Sequence, residues 1–264
     1  MSFTPVIPTG GYAGWRFLSR TLDAQQAVFD RTSASRRDQD YFREKIASVT
    51  TSDQLLGDRR LLSVALGAFG LDADINSKAF LRRVLDDGSL KTDALANKLA
   101  DKRYLALTKA FGFGDFDTPR TQLSDFADTI LARFRTQSFE AAVGGQNGDM
   151  RLALNARREL ADIVARDQSA NAKWYGIMGS PALREVFQSA LNLPKSFAAI
   201  DIDQQLTALR ARTEATFGAG SVDVFTSPEQ VEKLIRLFLV RSEAAASSVT
   251  SGTAALRLLR SALR

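Results

Sequence analysis

The 264-residue chain contains no cysteine and no histidine. Disulfides, thiolate nucleophiles, Cys/His zinc centres and Ser-His-Asp triads cannot be assembled from it. A charge switch near neutral pH loses its usual residue too. No stretch approaches the roughly 20 consecutive apolar residues that a membrane helix needs, so no membrane insertion is expected. Residues 1–11 hold Pro5 and Pro8, no Lys or Arg and no apolar run, unlike a secretory leader. The expected location is the cytoplasm, or outside it by an export route that cleaves no signal peptide.

Charge of one sign is also in short supply. The chain has 35 basic and 30 acidic residues, a net +5. Arg257, Arg260 and Arg264 lie in an acid-free tail and contribute three of these charges, which leaves +2 for everything before it. A nucleic-acid surface would need a basic stripe interleaved with aromatics, so no nucleic-acid partner is expected.

Apolar residues make up 45% of the chain, and Phe supplies 17 of its aromatics against 4 Tyr and 2 Trp. Phe lacks a polar handle, which suits core filling better than recognition. The apolar residues recur with helical period. Trp15, Leu18, Leu22 and Phe29 share the face of a first helix. Phe42, Ile46 and Val49 form the face of a second, with Ser35 and Asp38 as its capping pair and Thr50 to Asp53 as its break. Asp58 is placed to cap a helix through Leu61, Leu66 and Phe69 that stops at Gly70. Ser77 opens the next, which ends at Asp86-Asp87-Gly88. Thr92 opens a longer one through Leu99, Tyr104 and Phe111, closed by Gly112.

Three of the six prolines follow a hydroxyl residue: Thr118-Pro119, Ser180-Pro181 and Ser227-Pro228. A hydroxyl at the cap satisfies an orphan N–H, and proline at the first position gives up only a donor that has no partner. Ser227 and Gln230 have the spacing of a capping box. These signals predict helices over 119–137, 149–167, 181–191, 201–216 and 228 to the mid-240s, with Val143 to Gly148 as the clearest loop. Val222 to Phe225 is the single strand candidate.

The expected fold is therefore all-α and multihelical, with roughly 9–11 helices around a Phe/Leu-rich core. Its expected segments are an irregular lead (1–11), an N-terminal lobe (12–117), a C-terminal lobe (118–243) and an amphipathic tail helix (244–264). Gly57 to Leu71 echoes Gly179 to Leu193, with Leu61 over Leu183, Val64 over Val186 and Ala68 over Ala190. Duplication of one lobe explains the echo, and so does the shared period of short helices.

Candidate chemistry is thin. Asp72, Asp74 and Asn76 match the first ligands of a calcium loop, but the positions that require Gly and a bidentate Glu hold Ser77 and Arg83. Asp115-Phe116-Asp117 and Asp201-Ile202-Asp203 sit beside expected helix starts, where carboxylates complement the dipole. Gly112-Phe113-Gly114 and Gly144-Gly145 lack the Gly-Lys-Ser/Thr of a phosphate loop. Asp101 to Tyr104 reads as an ion-paired helix segment, and Lys173-Trp174-Tyr175 as an aromatic anchor. No catalytic, cofactor or metal residue is assigned, and the chain is not expected to be an enzyme. The candidate partner-binding residues are Leu256, Arg257, Leu259, Arg260 and Leu263, an apolar face flanked by cations.

Asp40-Tyr41-Phe42 through Ile46, Leu55 through Leu62, Ala65-Leu66 with Ala68 through Leu71, and Leu99 through Tyr104 with Ala110 through Phe113 together form a recognisable pattern. With Trp174-Tyr175, Ala182-Leu183 and Ile202 through Leu206, it resembles the alphaproteobacterial domain-of-unknown-function family numbered 1217 over about residues 10–240. The resemblance implies a multihelical protein often encoded among flagellar genes, and no catalytic or binding residue. The resulting expectation is a non-enzymatic structural or interaction protein of the flagellum, exported or assisting assembly, with protein partners that include flagellar components. One alternative is a cytoplasmic scaffold or regulator that binds through its C-terminal helix. Another is a small-molecule binder or enzyme, which requires a deep pocket of convergent polar groups.

Overall fold

Capping side chains mark where six of the α helices begin. The computed structural model describes residues 3–262, apart from the side chains of residues 33, 34 and 248–262. Thirteen α helices and five short 3-10 turns occur among the described residues, and no strand does. The all-α reading is thereby established. Contacts divide the chain into two compact units, Met1–Val6 with Leu18–Gln146, and Ile7–Phe17 with Asn147–Arg264.

In the first unit the elements run α1 (Gly11–Asp30, from Leu18 onward), α2 (Ser33–Lys45), α3 (Ser52–Gly57), α4 (Arg59–Gly67), α5 (Lys78–Asp86), α6 (Leu95–Lys98), α7 (Arg103–Phe111) and α8 (Phe126–Gly144). Asp58 caps α4 as its spacing predicts, accepting from the N–H groups of Arg60 and Leu61 at 2.9 and 3.0 Å. Phe42, Leu55, Leu62, Leu81 and Phe111 are almost wholly buried at the centre of this unit. The lead before α1 is pinned by side chains: Gln25 accepts from the Val6 N–H at 2.7 Å, and Gln146 donates to the Pro5 carbonyl at 2.5 Å.

Several expected boundaries move. Ser35 lies inside α2, where its hydroxyl accepts from Gln39. The expected break at Thr50 to Asp53 is present at Val49 to Thr51, but α3 already starts within it at Ser52, because Thr51 and Gln54 close a capping box. The single helix expected from Thr92 is two. Its apolar period is continuous, but Leu99 is extended, Asp101 accepts from the Arg103 N–H at 3.0 Å just ahead of α7, and Lys102 Nζ donates to the Asn97 and Leu99 carbonyls. Thr118-Pro119 opens no long helix. Pro119 is extended, the buried Thr121 hydroxyl donates to the Val49 carbonyl at 2.6 Å, and the chain makes only a 3-10 turn at Arg120–Gln122 before α8.

In the second unit the elements are α9 (Gly148–Val164), α10 (Ala170–Met178), α11 (Pro181–Ala190), α12 (Ile202–Phe217) and α13 (Pro228–Ala262). Side chains of Asn147, Ser169, Ser180 and Asp201 cap the first four. Helix α13 starts at Pro228 as expected, but the capping box does not close: Gln230 Oε1 is buried without a hydrogen-bond partner. Val222 to Phe225 is a 3-10 turn instead of a strand, because Val222 and Phe225 both face the core within a single turn. Phe225 packs edge-on against Phe187 and Phe217, and Phe187 against Trp174.

The expected division at residue 118 falls instead between Gln146 and Asn147, because α8 packs on α2 and α4 and so belongs to the first unit. A separate tail from residue 244 is also corrected, since α13 runs unbroken to Ala262. Each unit repeats one packing scheme. Helices α2, α4 and α8 pack mutually, as do α9, α11 and α13; α3 meets α4 and α5, as α10 meets α11 and α12. Both α7 and α12 end in Phe followed by a left-handed glycine, Gly112 at φ 69° and Gly218 at φ 87°.

Candidate functional site

The sequence placed recognition on Leu256, Arg257, Leu259, Arg260 and Leu263. Their side chains lie outside the described residues, and only the helical backbone through Ala262 is described. The remaining motifs resolve into structural roles. Asp72–Asp74 forms a 3-10 turn in which Asp74 accepts from the Tyr104 hydroxyl at 2.8 Å. Burial first, then that hydrogen bond, pushes the Tyr104 phenol up to about 12, so it remains a neutral donor. Arg103 and Asp101 form the expected ion pair at 2.6 Å. Asp201 caps α12. Asp115, by contrast, does not start a helix: it accepts from the Ser89 N–H and hydroxyl and the Leu90 N–H. Burial raises its pKa, but these bonds and the Arg120 charge outweigh that and hold it below the usual carboxylate range. Among the described residues no group of three or more acidic side chains is arranged to hold a metal ion.

Where sequence reading found no site, the first unit presents a groove of about 380 Å³. Its walls come from the end of α4, the last turns of α7, the Arg120–Gln122 turn and the start of α8. The floor is apolar, formed by the largely buried Phe69, Phe126 and Ile130. Phe126 is held by an edge-on contact with Phe111 at 5.1 Å, so the floor is continuous with the core. Three cations stand on the rim, Lys109, Arg120 and Arg133, opposed by one acid, Asp125.

Aromatic rings brace two of these cations. The Arg133 guanidinium lies 5.6 Å over the Phe69 ring, and that of Arg120 lies 5.1 Å over Phe116. Such contacts hold a guanidinium in place without neutralising it. No ion pair joins Lys109, Arg120 or Arg133 to a carboxylate among the described residues. Beside the groove, Leu123 is 57% exposed and Phe116 43% exposed. The start of α8 carries no side-chain cap, and its dipole is met there by Asp125 and by Asp128 of the first turn. This arrangement offers no nucleophile activated by a base. It offers an apolar surface ringed by fixed positive charge.

The signals for this site are scattered along the sequence. Lys109, Arg120 and Arg133 stand on three different elements and share no local motif, and only the packing of α7 against the 3-10 turn, and of that turn against α8, brings them together.

No helix of the described residues is long and apolar enough to cross a membrane. No curated protein matches the chain. A crystal structure of a protein from Agrobacterium tumefaciens has the same fold, with a TM-score of 0.72 and 28% sequence identity, over 91% of this chain and 98% of that one. The family model described as protein of unknown function (DUF1217) matches residues 68–231, a stretch that contains every residue lining the groove. With more than half of its length matched in this way, the chain belongs to the DUF1217 family.

Proposed function

We propose that this protein is a non-enzymatic interaction protein of the bacterial flagellar apparatus, either an exported component or an assembly factor. The observation that carries the interaction reading is the groove of the first unit, where the exposed Leu123 stands over an apolar floor among three cations not joined in ion pairs among the described residues. Apolar side chains set in a concave surface with a few charged groups suit the recognition of a ligand or partner. The flagellar part rests on the gene neighbourhood that the family resemblance implies. Deleting the gene is expected to impair swimming and shorten or remove filaments, and fractionation of the wild type is expected to find the protein with basal bodies or in the medium. Normal motility and normal filaments in the deletion strain would sink the flagellar assignment.

One observation favours a second reading, a scaffold or regulator that binds through its C-terminal helix. Helix α13 has 35 residues, whereas α8, which holds the same place in the first unit, has 19. In that case, removing residues 250–264 abolishes partner binding and leaves thermal stability nearly intact. A large loss of stability would instead mean that the segment packs on its own unit.

A further inference from the structure

We infer that the groove of the first unit is a docking site for an acidic, amphipathic segment of a partner protein. This rests on reading the chain as an interaction protein, and names the chemistry of what it binds. Charge complementarity selects the occupant. The rim holds three cations against one acid, and Asp115, which feels the Arg120 charge, is already engaged by Ser89 and Leu90. A partner must therefore bring carboxylates to Lys109, Arg120 and Arg133, and must not place one beside Asp125. The apolar surface sets the second requirement. Leu123, 57% exposed, stands beside a recess floored by Phe69, Phe126 and Ile130, themselves nearly buried, and one or two apolar side chains would cover it. Burial of that surface supplies affinity, and the rim charges supply orientation and rate.

The repeated architecture acts as an internal control. In each unit a 3-10 turn precedes the last long helix. In the second unit that turn, Val222–Thr226, contributes Phe225, which is 3% exposed and packs between Phe187 and Phe217. In the first unit the corresponding turn contributes Arg120 and is followed by Leu123, both exposed. The packing scheme thus accommodates a turn that folds an aromatic residue inward. A turn that instead presents a cation and a leucine is a feature of the first unit, and the fold does not require it. The size of the groove suits a few side chains of a peptide, and its cations are spread over three elements, as an extended ligand would need.

The test is selection of a random phage-displayed peptide library on the full-length protein. Enriched peptides are expected to carry net negative charge together with Leu or Phe. They are expected to bind the Arg120→Glu/Arg133→Glu variant at least roughly tenfold more weakly, and to lose affinity as salt rises from about 0.05 to 0.5 M. A milder variant, Leu123→Ser, keeps the charges and is expected to weaken binding without salt dependence of the loss; circular dichroism confirms that both variants fold. Neutral or basic peptides, no enrichment, or acidic peptides that bind the variants undiminished would overturn the docking site. So would dodecanoate occupying the groove while acidic peptides do not, since that would identify a small anionic amphiphile as the occupant. The failures are separable: normal motility on gene deletion removes the flagellar assignment and leaves the peptide result standing, whereas failed selection removes the docking site whatever the deletion does.

Discussion

Gly70 and Asn192 hold the same place in two copies of one helix ending. Both are left-handed, at φ 67° and 52°. The residue after each, Leu71 and Leu193, donates its N–H back at 2.9 Å to the carbonyls of Leu66 and Gln188. At the other end of the same helices, Asp58 and Ser180 accept from the N–H groups of Leu61 and Leu183. The echo between Gly57 to Leu71 and Gly179 to Leu193 therefore extends from side-chain identity to backbone conformation. A Cβ at Gly70 would meet only ordinary contacts, the nearest being Gln137 Oε1 at 3.4 Å. Gly70→Ala is therefore expected to cost about 1 kcal/mol from conformation alone. Asn192→Ala should cost a similar amount, and Asn192→Gly almost nothing, since asparagine and glycine both tolerate this region. Urea unfolding of the three variants checks this, and indifference at either position would remove the equivalence.

A second prediction concerns acid stability. Asp58 caps α4 and accepts from the Tyr41 hydroxyl at 2.6 Å. Burial raises its pKa, but the hydrogen bonds from Tyr41, Leu61 and Arg60 and the Arg60 charge outweigh that, so the folded pKa lies below the usual value. A carboxyl held low contributes stability above its unfolded pKa, about 3.9, and loses it as pH falls through the lower folded value. Asp58→Ala is therefore expected to cost about 1 kcal/mol at pH 7. The difference from wild type should narrow as pH drops below about 4. A difference that stays constant across that range would contradict the assignment.

Asp30 should behave in the opposite way. It ends α1, where a negative charge faces the negative end of the helix dipole, and its Oδ1 is buried without a hydrogen-bond partner. Burial raises its pKa, and Arg135, at 3.8 Å, only partly offsets this. A carboxyl held high contributes stability below its unfolded pKa and loses it as pH rises through the folded value. Asp30→Asn is expected to raise stability by about 0.5 kcal/mol at neutral pH, with no gain at acidic pH. Thermal melts at both pH values decide it.

These cases show why some features can be read from the sequence and others cannot. A cap is local: Asp58 and Ser180 announce α4 and α11 because the side chain and the N–H groups it satisfies are within three residues. Apolar period is also local, which is why Phe42, Ile46 and Val49 could be placed in the core. Where local signals compete, period misleads. The continuous apolar pattern through Leu99 hid the break that Asp101 and Lys102 impose, and Thr118-Pro119 promised a helix that Thr121, tied to Val49, prevents. The groove is non-local, since Lys109, Arg120 and Arg133 meet only after α7, the 3-10 turn and α8 have packed.

Lys173 supplies the last prediction. It is 9% exposed, and its Nζ donates to Asp223 Oδ1 at 2.7 Å and to the Val164 carbonyl at 3.0 Å. Val164 is the final residue of α9, so the ammonium satisfies an orphan carbonyl and sits at the negative end of that helix. Asp223 belongs to the 3-10 turn that carries Phe225, and one lysine therefore ties α9, α10 and that turn together. Methionine has nearly the same shape and removes only the charge and the donors. Lys173→Met is expected to cost about 2 kcal/mol, chiefly because it leaves the Val164 carbonyl unmatched. Asp223 is 54% exposed and can turn to water, so Asp223→Asn should cost clearly less. The hydrogen bond from Lys173 is the main cause of the low Asp223 pKa, so in Lys173→Met that carboxyl should titrate at higher pH than in the wild type. Carboxyl resonances followed by NMR through the acid range measure this directly. Equal losses for the two variants, with Asp223 titrating unchanged, would show that the pair contributes nothing beyond its packing.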